Sequence, residues 1–394
     1  VKDNNNALSM PIYNSVAYEF ETAEQMELAF TGKSPEHVYS RISNPTVQYF
    51  EQRVKALTNA AEVISFNSGM AAIANTIIAV AYAGSNIVTS PHLFGNTYSF
   101  LAYTLKDFGV EVRFCDLTKP DEVQSCIDKN TCALFLEVIT NPQMEVADLK
   151  TLSDICKSHG VPLIADTTVI PFTVFNAAKF GVDIEIVSST KYISGGATSL
   201  GGLVIDYGLF DWQNSSKLRH LINRNKLSAF SFKMRMEIHR NLGACMTPQV
   251  AYMQTIGLET LAVRYERSVK TCKNIAERMQ KLNNVVSVNY PSLTNHPYYE
   301  ISKQQFGEYS GAMFTFDLAS RQAAFRFIDN LKLICRATNL FDNKTLAIHP
   351  ASTIFGTFTE EIRKSMDISQ NTIRISVGLE SIDDLYNDMV QAIG

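Results

Sequence analysis

Several features are scarce in this chain, and each scarcity removes a class of protein. Formal net charge is only −4 and no run of five or six like charges occurs, so neither a basic nucleic-acid footprint nor a polybasic membrane patch is present. The seven cysteines (Cys115, Cys126, Cys132, Cys156, Cys245, Cys272 and Cys335) show no Cys-x-x-Cys spacing. Their odd number argues against a disulfide framework, and their scatter against a zinc knuckle; a reducing cytoplasm suits them best and no metal is expected. Uninterrupted apolar runs stay well short of the eighteen or so residues that cross a bilayer. The opening stretch "VKDNNNALSMPIYNS" is polar and has no signal-peptide core, so a cytoplasmic protein is expected. Internal repeats and low-complexity segments are also missing. The partners left are small molecules and other copies of the chain.

What is abundant is the alternation of helix-like and strand-like text. With 46% apolar residues over 394 positions, the chain can bury one large core and a smaller one without covalent staples. From about residue 60, "GMAAIANTIIAVAYAG", "SNIVTS", "YSFLAYTLKDFG" and "VEVRFCD" follow one another. "CALFLEVI", "ADLKTLSDICKSHG", "VPLIADTT", "VDIEIVSST" and "GGLVIDYG" continue the series. Near-continuous apolar strands separated by amphipathic helices imply an α/β fold with a mostly parallel central sheet and helices on both faces. Past Gly243 the rhythm changes to one long helical stretch, residues 247–282, and then to "VVSVNYP", "GAMFTFDL" and "TIRISVGLE". A smaller C-terminal α+β domain is expected there. The division this suggests is an arm over residues 1–44, a large domain over 45–243 and a C-terminal domain over 244–394.

Lys191, in "IVSSTKYISGG", follows an apolar strand that delivers it to the carboxyl edge of a parallel sheet, where open α/β folds place ligands. A lone lysine in a polar loop is ordinarily just solvated; its company changes the reading. Ser188 and Thr190 are hydroxyl neighbours able to hold an anion. "FNSGMAA" is a turn into a long helix, so Ser68 and the amides of Gly69 and Met70 stand at a helix N-terminus suited to phosphate. "PLIADTT" ends a strand on Asp166. "GGATSLGG" matches neither the P-loop nor the dinucleotide fingerprint. A lysine for a Schiff base, a carboxylate for a pyridinium nitrogen and a phosphate cup are the parts that pyridoxal 5'-phosphate (PLP) chemistry requires.

In their order, "YSRISNPT", "FNSGMAA", "LFGNTYS", "LEVITNP", "ADTT", "SSTKYISGG", "HPAST" and "IRISVGLE" resemble the Cys/Met-metabolism family of fold-type I PLP-dependent enzymes from about Pro11 to the end. The resemblance implies that Lys191 carries the cofactor and Asp166 pairs with its ring nitrogen. Ser188, Thr190, Ser68, Gly69 and Met70 would surround the phosphate, and Asn141 the phenolic oxygen. It implies that Arg374 clamps the substrate carboxylate with its guanidinium fork, with Asn339 and Asn141 beside it. It also implies that Tyr39 and Arg41 reach a neighbouring subunit's site, which makes the active unit a homodimer, with pairing into a homotetramer expected.

One departure from the family pattern bears on the reaction. Relatives place a tyrosine on the ring face where this chain has Phe94, so stacking is kept while a phenol that could move a proton is lost; its catalytic task would fall to Lys191, to Tyr39 of the neighbouring subunit or to water. Val187 and the first threonine of "ADTT", Thr167, also differ from the commoner pattern, without removing a core cofactor contact. In "NLFDNKTLAIHPAST", Asn339, Asp342, Lys344, Thr345 and Thr353 follow the pattern of family members that join sulfide to an acetylated homoserine. The expected reaction is therefore γ-replacement, O-acetyl-L-homoserine plus sulfide giving L-homocysteine and acetate. Free sulfide or a sulfur-carrier protein would be the donor. A methionine γ-lyase, a cystathionine γ-lyase or γ-synthase, and a PLP-binding protein without catalysis, are the alternatives.

Overall fold

The computed structural model describes residues 6–222 and 227–394. Residues 1–5 of the expected arm and residues 223–226 of the expected large domain lie outside the described residues.

Seven strands form the larger sheet: β1 (Glu62–Phe66), β2 (Asn86–Thr89), β3 (Glu111–Phe114), β4 (Thr131–Glu137), β5 (Leu163–Asp166), β6 (Ile184–Val187) and β7 (Gly202–Asp206), in the order β1-β7-β6-β5-β4-β2-β3. All neighbours run parallel except at β7, which is antiparallel to both β1 and β6. The sheet is covered on both sides, and the period of two along each strand shows it. Leu134, Leu136, Leu163 and Ala165 enter one core with the helix Leu149–His159. The intervening Ala133, Phe135, Ile164, Ile184 and Ile186 enter a second core with the helix Gly69–Val80. Because both faces are dry, the strands read as continuous apolar runs and not as an alternation.

The smaller sheet contains β8 (Ser287–Asn289), β9 (Met313–Asp317), β10 (Cys335–Arg336), β11 (Leu346–Ile348) and β12 (Thr372–Ser376), ordered β10-β11-β12-β9-β8. The helices Leu261–Met279 and Arg321–Asn330 pack against it. The long helical stretch is in fact two helices, Pro248–Glu259 and Leu261–Met279, parted at Thr260. Gly257, near the end of the first, lies so close to the lysine turn that a Cβ would stand 2.0 Å from the Ile193 carbonyl oxygen. Only glycine allows that approach. Within the stretch read as an arm, Ala23–Phe30 forms a short helix capped by the Thr22 hydroxyl, which accepts from Gln25 N–H.

Candidate active site

The carboxyl ends of β4, β5 and β6 lie side by side, with Glu137 opposite Asp166 and Asp166 opposite Ile186 in the pairing register. Beyond β6 the chain makes a tight turn in which Lys191 N–H donates to Ser188 C=O at 3.1 Å and Ser194 N–H to Ser189 C=O at 2.9 Å. That turn puts the Lys191 side chain into a cavity of about 940 Å³. The other walls come from the start of the helix Gly69–Val80, from Phe94, and from Thr338–Leu340, Thr353 and Arg374 on the C-terminal side. Ser68, Gly69, Met70, Phe94, Asn141, Asp166, Ser188, Thr190, Lys191, Asn339 and Arg374 all line this one space. Tyr39 and Arg41 do not. Tyr39 is exposed, and Arg41 donates to the Arg240 carbonyl at 2.6 Å with its guanidinium carbon 5.4 Å from the Tyr39 ring centroid.

The helix Gly69–Val80 begins at the cavity with Ser68 as its cap, the Ser68 hydroxyl accepting from Ala71 N–H. A Cβ on Gly69 would lie 2.7 Å from Ser188 Cβ. The glycine thus lets the positive end of a helix dipole stand directly against the strand-end serine. Thr190 already exchanges hydrogen bonds with Gly201, accepting from its N–H at 2.9 Å and donating to its carbonyl at 3.1 Å. This fixes the turn as well as the hydroxyl.

Burial shapes the ionisation of the charged groups. Asp166 is pushed above the usual carboxylate range by burial, while hydrogen bonds from Thr168 and the Lys191 charge pull the other way. Lys191 is pushed down to about 8, chiefly by burial and then by the Arg374 charge, against the pull of Asp166 and Asp342. Its Nζ donates to Asn339 Oδ1 at 2.9 Å. Arg374 is 1% exposed. It donates to Asn141 Oδ1 at 3.1 Å and to the Thr338 and Asn339 carbonyls at 3.3 and 3.2 Å. No carboxylate among the described residues pairs with it, and its Nε–H is buried without a partner. Burial alone pushes the guanidinium down to about 9. A buried cation in that condition is complete only when an anion joins it.

Glu137 is a site residue to which the sequence reading gave no role, although it stands in the quoted "LEVITNP". It is buried, and its two oxygens accept from Phe94 N–H at 2.6 Å and Asn141 N–H at 3.3 Å. Burial, with the Asp166 charge beside it, pushes it up to about 8. A glutamate closing an apolar strand was the available signal. Thr168 is a second such residue; its hydroxyl accepts from Ser188 N–H at 2.8 Å and its N–H donates to Asp166 Oδ1 at 2.9 Å, joining the two strand ends.

The family model described as "Cys/Met metabolism PLP-dependent enzyme" matches residues 1–394. The chain belongs to this family. A Campylobacter jejuni protein assigned as an O-acetylhomoserine (thiol)-lyase, its structure carrying N'-pyridoxyl-lysine-5'-monophosphate, superposes with a TM-score of 0.93 at 34% identity, over 100% of this chain and 97% of that one. An O-acetylhomoserine sulfhydrylase of Wolinella succinogenes is 44% identical with a TM-score of 0.80, over 90% and 98% of the two chains. An L-methionine gamma-lyase of Fusobacterium nucleatum is 34% identical across 98% of this chain and 93% of the relative.

As a Cys/Met metabolism PLP-dependent enzyme, the protein uses pyridoxal 5'-phosphate, and the residues in the cavity fit that group. The Gly69 cradle leaves room at a helix N-terminus for a phosphate, where a side chain would fill the gap. The buried Asp166 suits a ring-nitrogen proton, and Lys191, lowered by burial, offers a reactive amine.

Proposed function

We propose that the protein catalyses γ-replacement on O-acetyl-L-homoserine: the Cγ–O bond breaks, sulfide sulfur bonds to Cγ, and L-homocysteine and acetate leave. When bound, the cofactor supplies an electron sink that acidifies the substrate's Cα and Cβ hydrogens. Arg374 holds the substrate carboxylate through the donor that now lacks a partner, with Asn339 and Asn141 fixing the guanidinium plane. Asp166 keeps a proton on the ring nitrogen. Lys191, with Asn339 as its rest point, moves protons at Cα and Cβ. Phe94 packs on the ring face, and Glu137 fixes its backbone. Ser188, Thr190 and the first-turn amides of the helix at Gly69 take the phosphate.

The observation that carries the choice of leaving group is the make-up of the cavity wall. Among the described residues of its own chain it holds Phe94 on the ring side and no tyrosine, histidine or cysteine, so any phenol there comes from Tyr39 of a second copy and not from the ring-stacking position. Acetate departs as a stable anion without a proton from the protein, whereas a thiolate leaves far better when protonated. The similarity to sulfhydrylases points the same way. Likeness to a methionine gamma-lyase supports elimination as a slower second route when no thiol is present.

Tyr39 and Arg41 lie outside the cavity of their own chain and serve the site of a second copy, so the working unit is a homodimer that pairs into a tetramer. Sulfide arrives free or on a sulfur-carrier protein, and the reaction takes place in the cytoplasm. Among the described residues no helix is long and apolar enough to cross a membrane. The decisive measurement is kcat/KM for O-acetylhomoserine plus sulfide against methionine and cystathionine alone. The first should lead by at least about tenfold, a margin of about 1.4 kcal/mol. An equal or higher value on methionine would overturn the proposal in favour of the γ-lyase.

A further inference from the structure

Residues 339–343 grip the lysine turn at three points. Lys191 Nζ donates to Asn339 Oδ1 at 2.9 Å. Phe341 stacks on Tyr192, the next residue after the lysine, with ring centroids 4.2 Å apart and planes 11° from parallel. Asn343 N–H donates to the Gly195 carbonyl at 2.8 Å. To make the grip, Phe341 adopts φ +54°, a left-handed conformation unfavourable for a bulky side chain, and the surroundings must hold it there. They do so in part through the Ser376 hydroxyl, which accepts from Phe341 N–H at 2.6 Å.

At the centre of this segment lies Asp342, 5% exposed. One of its oxygens accepts from Asn339 Nδ2 at 3.1 Å and the other from Lys344 N–H at 3.1 Å. The Lys344 ammonium stands off at 3.9 Å and is mostly solvated. The side-chain chemistry admits only one orientation of the Asn339 amide. A carboxylate is acceptor-only and an ammonium donor-only, so the NH₂ must face Asp342 and the carbonyl must face Lys191.

We propose that Asp342 is a positioning residue that acts through Asn339: it locks the amide so that the lysine always finds an acceptor when its amine is free. The groups facing that amine are then Asp166 and Arg374 across the cavity and the Asn339–Asp342 pair behind it. Asp166 would draw the amine toward the ring-nitrogen partner, and Arg374 would repel it once protonated. The locked amide offers a neutral resting place between them, on the same residue whose backbone carbonyl also holds Arg374. The lysine and the carboxylate clamp are thereby indexed to the same backbone segment. This inference rests on the reading of Lys191 as the working lysine.

The test is competitive labelling of the full-length chain, stripped of cofactor, with acetic anhydride across pH. The readout is the label on the peptide containing Lys191, alongside steady-state kinetics of the loaded enzyme. Asp342→Asn lets the amide turn its NH₂ toward the lysine and removes a favourable charge. The Lys191 labelling midpoint should fall by about one pH unit, and kcat should fall while KM stays near its original value, because no substrate contact is lost. In an Asn339→Ala background the further change from Asp342→Asn should be much smaller. A midpoint that does not move in a folded Asp342→Asn protein overturns the proposal. So does a shift of equal size with and without Asn339, which would mean that Asp342 acts by charge alone. Should Asp342→Asn fail to fold, Asn339→Ala by itself must lower the midpoint, and an unmoved one is equally fatal. Cofactor trapped on a different lysine would instead defeat the assignment of Lys191, a separate failure.

Discussion

Arg235, at the β1 side of the large sheet, and Arg374, in the cavity, have opposite surroundings. Arg235 is 23% exposed and meets Glu51 at 2.8 Å and Glu62 at 2.7 Å, with the Val63 carbonyl as a further acceptor at 2.6 Å. Arg374 is 1% exposed and, among the described residues, donates only to neutral oxygens, with one donor left over. The carboxylates hold the Arg235 guanidinium above its ordinary range, overcoming burial, whereas burial alone lowers Arg374. The same side chain is completed by the fold in one place and left for a ligand to complete in the other. Stability is concentrated at the first, binding at the second.

That contrast is open to direct attack. The largest effect is expected from Arg235→Met, which strands the mostly covered Glu51 without a cation and leaves Glu62 with Lys55 at 3.5 Å alone. It should cost about 3 kcal/mol of folding stability, at the lower end for a broken buried pair because the site is not fully closed. The catalytic constants per correctly folded site should be preserved. Denaturant unfolding followed by assay of the surviving fraction measures both. A loss of substrate affinity from this variant would remove the distinction between the two arginines.

Arg374→Leu should behave in the reverse sense. The apoprotein sheds an unpaired buried charge, so its melting temperature should hold or rise. The substrate KM should climb by about 10- to 100-fold, as expected for one charge-assisted clamp of about 1.5–3 kcal/mol. A fall in melting temperature with an unchanged KM would show Arg374 to be structural and would place the carboxylate elsewhere.

The contrast also explains what could be read from the text of the chain. The strand-end cluster was legible because register does the placing: once the apolar runs of β4, β5 and β6 pair in parallel, Asp166 and the Lys191 turn fall at one edge. Ser68, Gly69 and Met70 were legible for a similar reason, as the first turn of a helix that follows a strand. Arg374 could be assigned only by resemblance, since nothing local in "TIRISVGLE" shows that the fold would deny it a carboxylate. Glu137 and Asp342 were quoted without a role because theirs depend on backbone amides and an amide orientation supplied by distant segments. The antiparallel course of β7 and the break at Thr260 were not visible either. No proline or unusual charge marks them, and the close approach of Gly257 to the lysine turn just before the second is a contact between distant segments.

The smallest change that still sharpens the comparison adds one oxygen to the wall of the cavity that Arg374 also lines. Phe94 caps a short helix at the cavity and its N–H is held by Glu137 at 2.6 Å, so its backbone is anchored independently of the ring. Phe94→Tyr should therefore keep the ring in place while bringing a phenol to the space where the leaving group departs. If the absent phenol is what limits thiolate departure, the variant should gain several-fold in kcat on methionine or cystathionine. Turnover of O-acetylhomoserine should hardly change, because acetate needs no proton, and KM should be unaffected for all three, because Arg374 still holds the carboxylate. The ratio of the kcat values is the quantity to measure, since it cancels differences in cofactor loading. Equal gains on the acetyl ester and on methionine would mean that the phenol acts on a step common to both, and that leaving-group protonation is not what separates this protein from the lyases.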